Sequence, residues 1–228
     1  MKNKLWAHFV LVVLISIGWT VCSQAMELIP VTSFDSTWVI DTYGTGTATV
    51  TTEGAKVNLS AQGTATDYGE KVFYKTGTTG VIGMWATLRV DQATTGSNGD
   101  CSIGISQYVG KVNNNKIQLM ISLEQWTNQK RISFRVQATD LTTNVKTVLT
   151  QGTVGNWDGG WANGDSRTVA FARVGSEFWF YVVGLPGLIK AQPFDAVTSY
   201  DSAPGMFVWA GAGTSISGNV SDIYLIRE

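Results

Sequence analysis

From residue 37 onward the chain alternates apolar and polar positions with a period of two, in short runs rich in Val, Ile, Thr and aromatic residues. Clusters of Gly, Asn, Asp and Ser separate the runs. That period places successive side chains on opposite faces of a strand, and the intervening residues are those that turns select. The pattern predicts strands at 37–41, 47–52, 56–60, 70–75, 81–90, 102–109, 116–125, 131–138, 146–153, 167–173, 178–183, 206–210 and 222–226. No window carries a helical period. Residues 113–115 and 174–176 read as hairpin turns. Many short strands with turn signals between them predict an all-β fold, an antiparallel two-sheet sandwich.

The alternation also assigns faces. Ile117, Leu119, Ile121 and Leu123 share one side of their strand; Ile132, Phe134, Val136 and Ala138 share one side of the next; Met84, Ala86, Leu88 and Val90 share one side of an earlier one. These sides are expected to bury. The opposite sides carry Trp85, Thr87 and Arg89; Gln118, Met120, Ser122, Glu124 and Trp126; and Ser133, Arg135 and Gln137. If the three strands belong to one sheet, its outer face sets tryptophans among Arg, Glu and Gln.

The stretch 167–184 is a strand that turns at Val174-Gly175-Ser176 and returns through Phe178, Trp179, Phe180, Tyr181 and Val182 to Gly184. It resembles the hairpin of concanavalin A-like lectin/glucanase domains, the LamG-like jelly-rolls. Residues 220–226 are similar to their closing strand, although Val183 stands where many relatives carry Asp or Asn. The resemblance extends loosely over 35–228. It implies a concanavalin A-like jelly-roll of two curved antiparallel sheets, with a concave face that often holds glycan.

The N-terminus has a different character. Lys2 and Lys4 precede a nearly unbroken apolar run over 9–19, and Ser23-Gln24-Ala25 offers small residues where a signal peptidase cuts. The run is short for a membrane span, and no later stretch approaches that length. The reading is a signal peptide over 1–25 and one β-sandwich domain over 26–228. The product is then secreted, periplasmic or extracellular. The alternative is a lipoprotein acylated at Cys22. Loss of Lys2 and Lys4 leaves fourteen basic against seventeen acidic residues, a net charge of −3. With no basic run, nucleic acid is not an expected partner, and the mature chain has no transmembrane segment.

Processing also removes His8, the only histidine, and leaves Cys101 as the sole cysteine of the mature domain. Ser-His-Asp and Cys-His chemistries are therefore excluded, as is an intrachain disulfide. Cys101 shares a side with Ile103 and Ile105 and is expected to be buried and inert. Retaining glucanases of the resembled superfamily carry Glu-x-Asp-x-x-Glu or a close variant on one concave strand, and related lyases use His with Tyr. Here the matching strand offers Glu124 alone, between Ser122 and Trp126. A lone carboxylate cannot serve as both acid and nucleophile, so no enzyme activity is expected. Cross-strand charges from Arg89 and Arg135 are the expected neighbours of Glu124.

Residues 155–165 form the most unusual segment. Trp157 and Trp161 sit in a Gly-rich loop, either as a platform for sugar rings or as a lid folded back on the sandwich. Asp158, Asn163 and Asp165 are oxygen donors spaced as in some Ca²⁺ loops, and Asp91, Asn98 and Asp100 form a second such set. Apart from structural Ca²⁺, no cofactor is implied. Asn58 and Asn219 begin glycosylation sequons. Together these residues point to a secreted, non-catalytic, lectin-like domain that binds polysaccharide. The ligand set is Trp85, Arg89, Gln118, Glu124, Trp126, Arg135, Trp157 and Trp161. A structural domain of a surface or extracellular assembly is the alternative, and a glycoside hydrolase the more distant one.

Overall fold

The computed structural model describes residues 26–94, 100–127, 129–154, 160–198 and 202–228. Its strands are β1 (Glu27–Pro30), β2 (Trp38–Gly44), β3 (Thr47–Glu53), β4 (Lys56–Gln62), β5 (Gly69–Lys75), β6 (Val81–Thr94), β7 (Asp100–Val112), β8 (Asn115–Trp126), β9 (Gln129–Asp140), β10 (Lys146–Thr153), β11 (Ser166–Val174), β12 (Glu177–Val182), β13 (Ile189–Ala191), β14 (Gly205–Ala210) and β15 (Ser215–Arg227). Every strand expected from the alternation is present. No helix among the described residues is long and apolar enough to cross a membrane.

Two antiparallel sheets form. One runs β13-β12-β11-β6-β15-β4-β3, with β1 paired to β15. The other runs β10-β9-β8-β7-β14-β5-β2. Between them lies a continuous apolar core. Ile117, Leu119, Ile121 and Leu123 from β8 face it with no solvent exposure, as do Met84, Ala86, Leu88 and Val90 from β6. Burying each of the larger side chains contributes roughly 1.5–3 kcal/mol. The inward residues of β8 and β9 are thus those the alternation selected. Phe134 of one sheet packs on Phe180 of the other, with ring centroids 4.9 Å apart.

Local sequence explains the turns. Asn113 takes a φ of 50° in the β7–β8 hairpin, a left-handed value that Asn tolerates. Gly175 takes a φ of 61° in the β11–β12 hairpin. Cys101 is buried, with its sulfur 3.6 Å from the Ser215 carbonyl, and burial pushes its thiol up to about 12.

The sheet assignment corrects one conditional expectation. Strand β6 pairs with β11 and β15, not with β7 or β8. Trp85 and Arg89 therefore lie on the outer face of the eight-stranded sheet. Sheets in a sandwich pack about 10 Å apart, so a full core separates them from Glu124.

Candidate glycan groove

The outward face of the seven-stranded sheet is built in rows fixed by strand register. One row runs Tyr43, Glu70, Trp209, Ser102, Glu124, Arg131, with one residue from each of β2, β5, β14, β7, β8 and β9. The next runs Asp41, Val72, Phe207, Gly104, Ser122, Ser133. The central strand β7 thus contributes small residues, Ser102 and Gly104, while β14 beside it contributes Trp209 and Phe207 and β9 on the other side Arg131, which makes a trough. Its floor is Ser102, Gly104, Ser106 and Ser122. Phe207 and Trp209 line one wall, and Arg131, Arg135 and Gln137 the other. Gly104 is required by this packing: a Cβ there would lie 2.7 Å from the Phe207 ring and 2.5 Å from the Ile121 carbonyl oxygen.

Two cavities open along the trough. One, of about 330 Å³, is lined by Asp100, Glu124, Arg135, Phe207 and Trp209 among others. The second, of about 380 Å³, is lined by Tyr43, Tyr74, Tyr108 and Gln118 among others. Both volumes fall within the ordinary range for ligand sites. Lys146 of β10 borders both cavities. It reaches across the trough, with its Nζ 5.9 Å from the centre of the Tyr43 ring.

The wall and floor are internally hydrogen-bonded. Arg131 Nε donates to Glu124 Oε2 at 2.7 Å, and Glu124 is only 6% exposed. The partner of Glu124 is thus Arg131, directly opposite it in register, rather than Arg89 or Arg135. The guanidinium of Arg131 also lies 4.5 Å from the centre of the Trp126 ring. Gln137 Nε2 donates to Gln118 Oε1, and Ser122 and Ser133 share a hydrogen bond at 2.9 Å.

Glu124 is not a lone carboxylate. Asp100 lines the same cavity, close enough for the Glu124 charge to act on its carboxyl. Burial first, and then the neighbouring Glu124 charge, raise the Asp100 pKa above the usual carboxylate value. Glu70 is a third acid in this cavity, also pushed up by burial, with Lys146 partly opposing the shift. At the rim, burial and the Asp41 carboxylate push the Tyr43 phenol up to about 12, and its hydroxyl donates to Asp41 at 3.2 Å.

The structure brings together Gln118, Glu124, Trp126 and Arg135 on this face, and it separates them from Trp85 and Arg89. Trp85 is half-buried between β11 and β15, and Arg89 is ion-paired to Asp91 at 2.6 Å. Trp161 is not an open platform. It is 3% exposed in the core, its Nε1 donates to the Arg131 carbonyl at 3.0 Å, and Lys130 covers its ring at 4.8 Å. Trp157, Asp158, Asn98 and the leader with Cys22 lie outside the described residues.

Of the described loop donors, Asn163 Oδ1 and Asp165 Oδ2 already accept hydrogen bonds. Asn163 Oδ1 accepts from Lys130 Nζ at 2.6 Å, and Asp165 Oδ2 accepts from the Ala162 amide and Arg167. Ammonium and guanidinium groups at these oxygens do not fit a divalent cation. Among the described residues no three His, Cys, Asp or Glu side chains gather as a metal site.

The sequence reading missed Phe207, Trp209, Glu70 and Asp100 as groove residues. In β14 both alternating sets are apolar, so periodicity could not tell which set faced out.

No family model and no curated protein matches this chain. Solved structures do. A β-1,3-1,4-glucanase (lichenase) derived from a mouse hindgut metagenome matches with a TM-score of 0.58 at 14% identity, over 90% of this chain and 99% of that one. The κ-carrageenase of Pseudoalteromonas carrageenovora matches at 0.55 and 11%, over 92% and 99%. The carbohydrate recognition domain of Emp47p matches at 0.52 and 13%, over 91% and 96%. At such identities the likeness is one of fold: the chain shares the two-sheet jelly-roll sandwich of these proteins.

Proposed function

We propose that this chain is a secreted, non-catalytic domain that binds polysaccharide in the trough of its seven-stranded sheet. The observation that carries the reading is the division of the trough into an aromatic wall and a hydrogen-bonding wall. Pyranose rings have apolar faces of C–H groups that pack on indole and phenyl surfaces, as Trp209 and Phe207 offer. Gln118, Gln137 and Arg135 stand opposite, where they can fix hydroxyl groups. The solved proteins of similar fold include one named for carbohydrate recognition and others named for cleaving polysaccharides. Exchange of sugar–water for sugar–protein bonds keeps the affinity weak, on the order of 10–1000 µM.

One observation favours a second reading, a glycoside hydrolase: Asp100 beside Glu124 supplies the second carboxyl that β8 alone lacks. Binding is preferred because Glu124 is 6% exposed and already held by Arg131 Nε at 2.7 Å, which ties up the carboxylate that hydrolysis would need free as acid or nucleophile. Calorimetric titration against a panel of soluble glycans, with Trp209→Ala and the outer-face control Trp85→Ala, tests the proposal. Binding that falls about tenfold in Trp209→Ala alone supports it. No binding by any glycan overturns it. Release of reducing ends from any glycan, lost in Glu124→Gln, replaces it with the hydrolase.

A further inference from the structure

The charges on the concave face are unequally matched. Among the acids, Glu124 is held by Arg131, and Asp41 accepts from Tyr43. Asp100 and Glu70 sit where burial disfavours their ionised forms. Among the bases, Arg131 is committed to Glu124 and Trp126, and Lys116 lies over the Tyr108 ring at 4.3 Å. Arg135 and Lys146 differ from these. Both are exposed, both border the cavity of about 330 Å³, and among the described residues neither side chain makes a hydrogen bond or an ion pair; Lys146 has only the Tyr43 ring at 5.9 Å and the through-space charge of Glu70.

Their placement converges on one spot. Arg135 lies opposite Met120 in β8 and Gln151 in β10, so apolar Met120 and neutral Gln151 flank it across the sheet. Lys146 extends over the trough from β10 toward Tyr43. Both residues border the cavity whose far side is Phe207 and Trp209. A guanidinium presents a planar fork that suits a carboxylate or sulfate, and an ammonium adds a mobile point charge. A neutral sugar would displace the water around both cations and offer no charge to Arg135, while Lys146 would keep only the buried Glu70, whose ionised form burial disfavours.

We infer that the trough takes an anionic polysaccharide, with the carboxylate or sulfate ester of one ring held between Arg135 and Lys146 and the ring itself against Trp209 and Phe207. This rests on the glycan-binding reading and names the substrate class for it. A uronate and a sulfated sugar present the same chemistry here, a single negative charge with at least two acceptor oxygens.

The test uses short oligosaccharides in matched pairs, so that multivalent avidity does not intrude. One pair is oligogalacturonate and its fully methyl-esterified form; the other is a sulfated dextran oligomer and the unsulfated oligomer. Titrations use wild type, Arg135→Gln, Lys146→Gln and the double variant, at about 20 mM and about 300 mM NaCl. Thermal unfolding verifies that each variant folds, which the exposure of both side chains favours. The expected result is an anionic member that binds about tenfold more tightly than its neutral partner at low salt. In the double variant the anionic member loses this advantage and binds no more tightly than the neutral partner. Preference within the first pair only identifies a carboxylate, within the second only a sulfate ester, and within both the shared charge. Equal binding of neutral and anionic members overturns the inference and leaves the glycan-binding reading standing. A preference that persists in the double variant places the anion elsewhere and also overturns it. If no oligosaccharide binds, both fail together.

Discussion

Replacing Arg131 by Met would leave Glu124 in place with no cation to hold it. The pair is well enclosed, with side-chain exposures of 17% for Arg131 and 8% for Glu124. Breaking a buried pair from one side typically costs about 3–5 kcal/mol, because an uncompensated charge remains. The trough admits water to one edge of Glu124, which argues for the lower end of that range. Loss of the guanidinium over Trp126, an exposed ring, adds about 0.5–1 kcal/mol. The expected deficit is therefore about 3–4 kcal/mol. With a urea dependence of about 2–3 kcal/mol/M, the midpoint should fall by more than about 1 M. Glu124→Gln alone should cost only about 1 kcal/mol, since Arg131 can still reach water at the trough. The double variant should recover about 1 kcal/mol of the deficit, which corresponds to a coupling of about 2 kcal/mol. Urea unfolding of the four proteins measures all of this. An Arg131→Met deficit under about 1 kcal/mol, or a double variant no better than Arg131→Met, would refute the view that the two residues act as one buried unit.

Other consequences concern the same core and groove. The Asp100 pKa is raised in the folded protein, so the native state binds that proton more tightly than the unfolded chain. Stability should therefore fall as pH rises from the ordinary Asp value of 3.8 through the raised one. Asp100→Asn should match wild type below that window and exceed it above, as read by thermal midpoints against pH. Cys101, buried with its thiol near 12, should resist thiol reagents at mildly alkaline pH until urea is added; reaction in the native state would contradict its placement. Ile121→Ala should cost about 2–5 kcal/mol in urea unfolding while glycan affinity is unchanged. Gly218→Ala should cost about 3 kcal/mol, because its Cβ would meet the Arg89 carbonyl oxygen at 2.0 Å in the central β15–β6 pairing.

Much of this architecture is written in the alternation. The buried side of β8 and β9 and the outward placement of Gln118, Glu124, Trp126 and Arg135 follow from period two alone. The first half of β15 does not, because Ser215, Ser217, Gly218 and Asn219 are turn formers by composition. They become strand only because β4 and β6 flank them on both sides, with bulges at Gly218 and near Asp222 to absorb the fit. The short edge strands β1, which ends in Pro30, and β13 lacked a pattern long enough to read. The larger omission is non-local. Nothing in a single sequence says that β6 joins β11 and β15, so Trp85 and Arg89 could not be separated from Glu124. In the same way Glu70, Asp100 and Trp209, far apart in the chain, meet only because β14 inserts between β7 and β5. Trp161 was legible as either lid or platform, and the hydrogen bond from its Nε1 to the Arg131 carbonyl makes it the lid.

The most direct test of the trough as a glycan site is a crystal structure of the protein with the tightest-binding oligosaccharide from the panel. A sugar ring lying against Trp209 and Phe207, with its substituents directed toward Arg135 and Gln137, is the predicted result. A ring bound instead on the outer face of the eight-stranded sheet beside Trp85, with the trough filled only by water, would contradict it.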